Sequence, residues 1–201
     1  MKKIPSLFQK EYDKFGKIKR VCNWVKPELQ WVLDGDGEAT EKVDGSACAV
    51  INGKLYRRYD AKKGRTFPPH DGIPCQSYPD EVTGHWPWWI PCKEDRQEDK
   101  WYIRAYIQTP WYQGIDGTYE AVGPHFQRNP YGLDEDLLEK HGRIKIHDCP
   151  RTYEGIKEYL RTHEIEGIVW WLNGEPKCKM KRTDFGFEWP ILNNESEEED
   201  A

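Results

Sequence analysis

Residues 38–51 lead through a β-prone run, Ser-Ala-Cys-Ala-Val-Ile, into Asn52-Gly53 and then Lys-Leu-Tyr-Arg-Arg-Tyr. An Asn-Gly pair between two such runs is a strong hairpin signal, because both turn residues tolerate positive φ. The pattern therefore predicts a hairpin with Lys42 at or just before one strand and Arg57 and Arg58 on its partner. Residues 167–172, Gly-Ile-Val-Trp-Trp-Leu, read as a buried strand, and Asn173-Gly174 turns it back into a second basic run at 177–182. Residues 101–108 alternate enough to predict a strand, and residues 117–122 predict another. The segment 134–140 predicts a short helix ended by Gly142. Thr152 is placed to cap a clearer helix, in which Tyr153, Ile156 and Leu160 recur at helical spacing and face the core. Residues 64–92 hold six prolines and the cluster His-Trp-Pro-Trp-Trp, which predicts a long ordered loop.

This mixture of strands and isolated helices predicts an α+β fold. The length of 201 residues suits one sizeable domain, and 10 tryptophans supply a core built on aromatics. The net charge of −5 argues at first against a nucleic-acid partner. The acid is uneven, however. Residues 193–201 carry Glu195, Glu197, Glu198, Glu199 and Asp200 with no base, a composition that predicts a solvated, disordered tail beyond a domain of residues 1–192. That domain is close to neutral, and its basic stretches lie at 54–65 and 177–182. No apolar run approaches the ~18 residues of a membrane span. The N-terminus has lysines but no apolar segment of a secretory signal. A cytoplasmic protein is expected. The six cysteines contain no Cys-x-x-Cys pair, which points to reduced, mostly buried thiols. A metal at Cys75, Cys92 and His85 is the lesser alternative.

Four features carry candidate chemistry. Lys42-Val43-Asp44-Gly45 offers an amine that can attack phosphorus, or else a turn with a solvated lysine. Glu120, on a strand, can accept both hydroxyls of a ribose, or else faces solvent. Glu166-Gly167 places an acid at the mouth of an apolar strand, where it can hold a divalent cation near phosphates. The alternative there is a connector whose glycine serves a positive φ. Lys177, Lys179 and Lys181 alternate along a strand and so share a face. Clustered cations suit a triphosphate, or guard an edge strand. Trp86, Trp88 and Trp89 could stack on RNA bases but more often such residues wall a core. His85, His125 and His147 read as structural.

The order of these features resembles the covalent nucleotidyltransferases: DNA ligases, RNA ligases and capping enzymes. The segments around Lys42, Thr83–Trp89, Gly117–Leu133 and Glu139–Gly142 look like the compact ATP-dependent RNA ligase family of animals and some viruses. That resemblance implies an adenylation domain with twisted antiparallel sheets flanked by helices. Only 20 residues follow Lys181, too few for a C-terminal OB-fold. It implies Lys42 as the AMP-accepting nucleophile, with Lys179 and Lys181 assisting at the α-phosphate. Nucleotide contacts fall to Glu41, Val43, Asp44, Gly45, one of Arg57 and Arg58, Glu120, Phe126, Lys179 and Lys181. Trp101 and Trp111 compete with Phe126 to cover adenine. Glu166 would hold Mg²⁺ or Mn²⁺. The expected partner is RNA with 5′-phosphate and 3′-hydroxyl ends, and the expected state a monomer. A capping-type enzyme using GTP, an enzyme adenylylating another acceptor, and a non-catalytic nucleotide or RNA binder remain open.

Overall fold

Asn52 and Gly53 take φ of 50° and 70°. They join β4 (Ser46–Ile51) to β5 (Lys54–Lys62), the hairpin expected from the sequence. The computed structural model describes residues 2–62, 64, 66–67, 70–81 and 83–191; the acidic tail expected at 193–201 lies outside them. The remaining strands in chain order are β1 (Phe8–Tyr12), β2 (Ile18–Val25), β3 (Glu38–Lys42), β6 (Ile73–Pro74), β7 (His85–Pro91), β8 (Gly117–Val122), β9 (Leu137–Lys140), β10 (Gly167–Leu172) and β11 (Glu175–Lys181). Two α-helices, α1 (Lys100–Gln108) and α2 (Tyr153–Thr162), complete an α+β protein whose strand pairs are antiparallel. Among the described residues no helix is long and apolar enough to cross a membrane.

The chain gathers into two compact units. One draws on the described residues of Met1–Ile4 and Val43–Arg143, the other on those of Pro5–Lys42 and Ile144–Ala201. The first unit holds a six-stranded sheet in the order β6-β7-β5-β4-β8-β9. Its core packs Cys48, Val50, Leu55, Tyr119, Ala121 and Leu138 from one sheet face with Ala105 of α1 and Phe126. The second unit holds a three-stranded sheet, β11-β10-β3, and a two-stranded sheet, β1-β2. Leu7, Phe8, Ile156, Leu160, Ile168, Trp170 and Met180 fill its core. The Thr152 side chain accepts the Gly155 N–H at 3.1 Å and starts α2 as expected. A ten-residue helix is marginal alone. Burial of Ile156 and Leu160, each worth about 1.5–3 kcal/mol, is what holds α2 in place. Asn173 and Gly174, with φ of 54° and 74°, close the second expected hairpin between β10 and β11.

Three expectations are corrected. Residues 101–108 form α1, not a strand. Their apolar positions fit both periods, but Arg104 and Ile107 are exposed while Ala105 is fully buried and Trp101, Tyr102 and Tyr106 are partly buried, a helical face. Leu137–Lys140 is strand β9, not the end of a helix. Helix-forming residues there are overridden by pairing with β8, and the Leu138 N–H donates to Thr109 Oγ1 at 2.9 Å. The proline-rich stretch 64–92 contains β6 and β7. Prolines argue against strands, but β7 pairs with β5 along its whole length, from His85 to Pro91.

Candidate active site

The second unit gathers four of the expected residues. β10 runs between β3 and β11, and Gly167 faces Lys42 on one side and Lys181 on the other. Two residues further on, Val169 faces Thr40 and Lys179. Lys42, Lys179 and Lys181 therefore share one sheet face. Gly167 leaves room between the first and last of these. A Cβ there would lie 2.3 Å from the Met180 carbonyl oxygen, so this glycine serves a close strand approach. It is not among the glycines of positive φ, which corrects that alternative.

Glu166, one residue before β10, points its side chain into this row and is buried to 4% exposure. Its Oε2 lies 2.5 Å from Lys42 Nζ and its Oε1 2.6 Å from Lys181 Nζ. One carboxylate thus bridges the expected nucleophile and an expected phosphate-binding lysine. The Arg182 N–H donates to the Glu166 carbonyl at 2.8 Å and fixes the backbone of this acid. Asp184 adds a second acid: its Oδ2 accepts the Lys181 N–H at 2.9 Å, and its Oδ1 pairs with Lys10 Nζ at 2.6 Å. Four lysines surround two carboxylates, so the cluster carries excess positive charge. Lys177, the third alternating lysine, pairs instead with Glu175, beside a register shift in the β10–β11 ladder. Glu41 pairs with Ile168, so its side chain leaves the opposite face of the sheet from Lys42.

Burial, and then the neighbouring Lys42 and Lys181, lower the Lys179 amine to about 8, against the pull of Glu166 and Asp184. The free side chain titrates near 10.4. Between about pH 8 and 10.5 the unfolded chain keeps a proton that the folded chain has lost, so stability rises with pH in that window. Lys179→Met removes the buried charge. It should stabilise the protein at pH 7 by on the order of 2 kcal/mol, and the advantage should shrink as pH rises toward 10. Denaturant titrations of both proteins across this range check it; a difference independent of pH would contradict the shifted amine.

The remaining expected residues belong to the first unit, which the chain enters at Val43. The Asp44 N–H donates to Tyr131 Oη at 2.6 Å. A Cβ on Gly45 would lie 2.2 Å from the Ala121 carbonyl oxygen, so only glycine lets this turn press on β8. Register separates the two arginines. Arg57 pairs with Cys48 and so lies on the face covered by α1, where it meets buried Asp99 at 2.5 Å and Glu98 at 3.3 Å. Arg58, one residue on, shares the other face with Glu120, Ala47 and Ala49, and its guanidinium meets Asp60 at 3.1 Å. Glu120 does not face open solvent: it is 9% exposed, and His141 Nε2 lies 2.7 Å from its Oε2. His141 Nδ1 is buried with no hydrogen-bond partner among the described residues. Phe126 is 4% exposed within the core. Trp101 stacks on His125 with centroids 3.3 Å apart, and Trp111 is exposed. Trp86 packs edge-on against Trp88, and Trp89 is buried.

The family model described as RNA ligase 1 matches residues 103–199. The chain is similar to the RNA ligase 1 family. RNA ligase 1 of Rattus norvegicus is 24% identical, over 79% of this chain and 71% of its own length. That of Pongo abelii is 25% identical over 76% and 68%, and that of Danio rerio 24% over 77% and 69%. The stretch matched by the RNA ligase 1 model holds Glu120, Phe126, Glu166, Lys179 and Lys181. Four residues of these clusters had no role assigned to them from the sequence: Lys10, Tyr131, His141 and Asp184. Asp184 had a signal in its three-residue spacing after Lys181. Lys10 had none, because only folding brings β1 to the end of β11. All six cysteines are free thiols, and no group of three or more metal-binding side chains occurs among the described residues.

Proposed function

We propose that this chain is an ATP-dependent RNA ligase that joins 5′-phosphate and 3′-hydroxyl RNA ends through a lysyl-AMP on Lys42. The observation that carries this reading is one buried carboxylate, that of Glu166, gripping the amines of both Lys42 and Lys181 beside Lys179. Cations crowded on one face gain by meeting an anion, and a triphosphate is such an anion. The nucleotidyltransferase fold is part of this reading.

In the first step Lys42 Nζ attacks the α-phosphorus of ATP, a P–N bond forms, and the bond to pyrophosphate breaks. The amine must shed a proton, and Glu166 Oε2, at 2.5 Å, is the acceptor within reach. Lys179 and Lys181 neutralise charge gathering on the α-phosphate oxygens, which is the principal form of catalysis available in phosphoryl transfer. Glu120, with His141 behind it, accepts the ribose hydroxyls, and Arg58 is the arginine assigned to the nucleotide. Glu166 is the residue that would hold Mg²⁺ or Mn²⁺, since such ions commonly take one or two carboxylates plus substrate oxygens; the ion would offset phosphate charge. Next, an RNA 5′-phosphate oxygen takes AMP from Lys42. Finally a 3′-hydroxyl attacks that 5′-phosphate and releases AMP.

Purified protein given ATP, Mg²⁺ and a 5′-phosphorylated RNA with a free 3′-hydroxyl should yield sealed or circular RNA. An all-DNA strand with the same ends should be joined far less, because the 2′-hydroxyl and A-form geometry mark RNA. Pre-adenylylated RNA should be joined without ATP, even by Lys42→Ala. Self-adenylylation with no transfer of AMP to any RNA 5′-phosphate would replace the ligase reading with an adenylyltransferase that uses another acceptor.

A further inference from the structure

The β1–β2 hairpin takes no part in the chemistry above, yet it carries the second unit's most exposed aromatic rings. Tyr12 is 59% exposed, Phe15 76% and Trp24 50%. Residues 12–20 are exposed without interruption. The same segment is strongly basic. Residues 10–26 contain Lys10, Lys14, Lys17, Lys19, Arg20 and Lys26 against Glu11 and Asp13, a net +4 in a chain of net −5. A folded protein gains nothing by leaving large rings in water among like charges. RNA is a ligand that wants both features, for its phosphates take the cations and its bases the rings.

The geometry supports such a role. Val21 and Val25 pack against the core, which turns Arg20, Cys22 and Trp24 to the outer face. Register places Tyr12 opposite Ile18 and Glu11 opposite Arg20, with a bulge between the two pairs, and Glu11 holds the Arg20 guanidinium at 2.8 and 2.6 Å. Tyr12, Ile18 and Trp24 are all exposed along the hairpin. Six residues of strand span about 20 Å, the length of about six stacked nucleotides at ~3.4 Å each. The turn is ordered as well. Asp13 Oδ1 accepts the N–H groups of Phe15 and Lys17 at 2.8 and 2.9 Å. Lys14 Nζ sits 5.0 Å from the centre of the Phe15 ring. Phe15 is thus presented on a fixed turn, and ordering it on binding costs little. The hairpin is tied to the lysine cluster of the same unit: Lys10, on its core face, pairs with the Asp184 that holds the Lys181 backbone.

We propose that the β1–β2 hairpin is a docking surface for single-stranded RNA, with phosphates on Lys14, Lys17 and Lys19 and bases stacked on Tyr12, Phe15 and Trp24. The assignment of RNA as the ligand rests on the ligase reading. The docking itself does not depend on Lys42.

The test uses the full chain and a fluorescent single-stranded RNA, with affinity read by anisotropy over a range of salt. Lys14→Gln with Lys17→Gln and Lys19→Gln should reduce the slope of log affinity against log salt by about 2, at ~0.7 per phosphate released. Phe15→Ala and Trp24→Ala should each weaken binding roughly 5- to 150-fold, the range of a lost base stack, with an unchanged slope. Both sets should fold and self-adenylylate like the natural protein, because the altered side chains are exposed. Unchanged affinity and slope in both sets would overturn the hairpin surface and leave the ligase reading intact. Weakened RNA binding alongside a natural chain that never self-adenylylates would uphold the hairpin and overturn the ligase. Loss of binding to vesicles of anionic lipid, with RNA binding untouched, would make the hairpin a membrane contact and overturn the RNA surface.

Discussion

Lys42→Ala should retain no label after incubation with α-labelled ATP and Mg²⁺, whereas the natural chain should keep label through denaturation and release it in acid, as a phosphoramidate does. The expected loss is complete, since removing a covalent nucleophile leaves no group to hold the AMP. Lys42 is the last residue of β3, opposite Gly167 in the sheet, with its amine held by Glu166. Folding should survive the change, because Glu166 keeps Lys181 as a partner, and an unchanged far-ultraviolet dichroism spectrum would show it. The same experiment discriminates between two amines. Lys179 shares the face, and its amine is lowered to about 8, so it is the other candidate for a neutral nucleophile. Label persisting in Lys42→Ala and absent in Lys179→Ala would transfer the role to Lys179.

Glu166→Gln should be the most damaging single change after Lys42→Ala. Its carboxylate sits among Lys42, Lys181 and Lys179, and an amide keeps the shape while removing the charge. Removing one partner of a buried ion pair costs about 3–5 kcal/mol. Lys42 and Lys181 are partly exposed, so roughly 1–3 kcal/mol is expected here. Self-adenylylation should fall about 100-fold or more, the scale of a lost electrostatic contact in a transition state, and extra Mn²⁺ should partly restore it. Glu120→Gln is the comparison. Its amide oxygen can still accept from His141, and its defect should respond little to metal. Rates for both variants over a range of Mn²⁺ concentrations decide the matter: parallel curves would refute the division into a metal acid and a ribose acid.

Much of this architecture is written locally. The two Asn-Gly turns close their hairpins because the backbone conformation they need lies within the two residues themselves. Thr152 caps α2 because its acceptor is three residues away. The alternation of Lys179 and Lys181 puts them on one face whatever surrounds the strand. The sequence could not decide α1, β7 and β9, because each holds residues compatible with two conformations, and the choice came from partners distant in the chain: Thr109 and β8 for β9, β5 for β7, the sheet face for α1. The site divides the same way. The amino-acid types and their order marked Lys42, Glu120, Glu166, Lys179 and Lys181 as candidates. That Glu166 bridges Lys42 and Lys181, that Arg58 rather than Arg57 shares a face with Glu120, and that Lys10 and His141 stand behind the acids are consequences of strand register. Register depends on pairings between residues as far apart as Glu38 and Trp171, and no local pattern encodes which strands will meet.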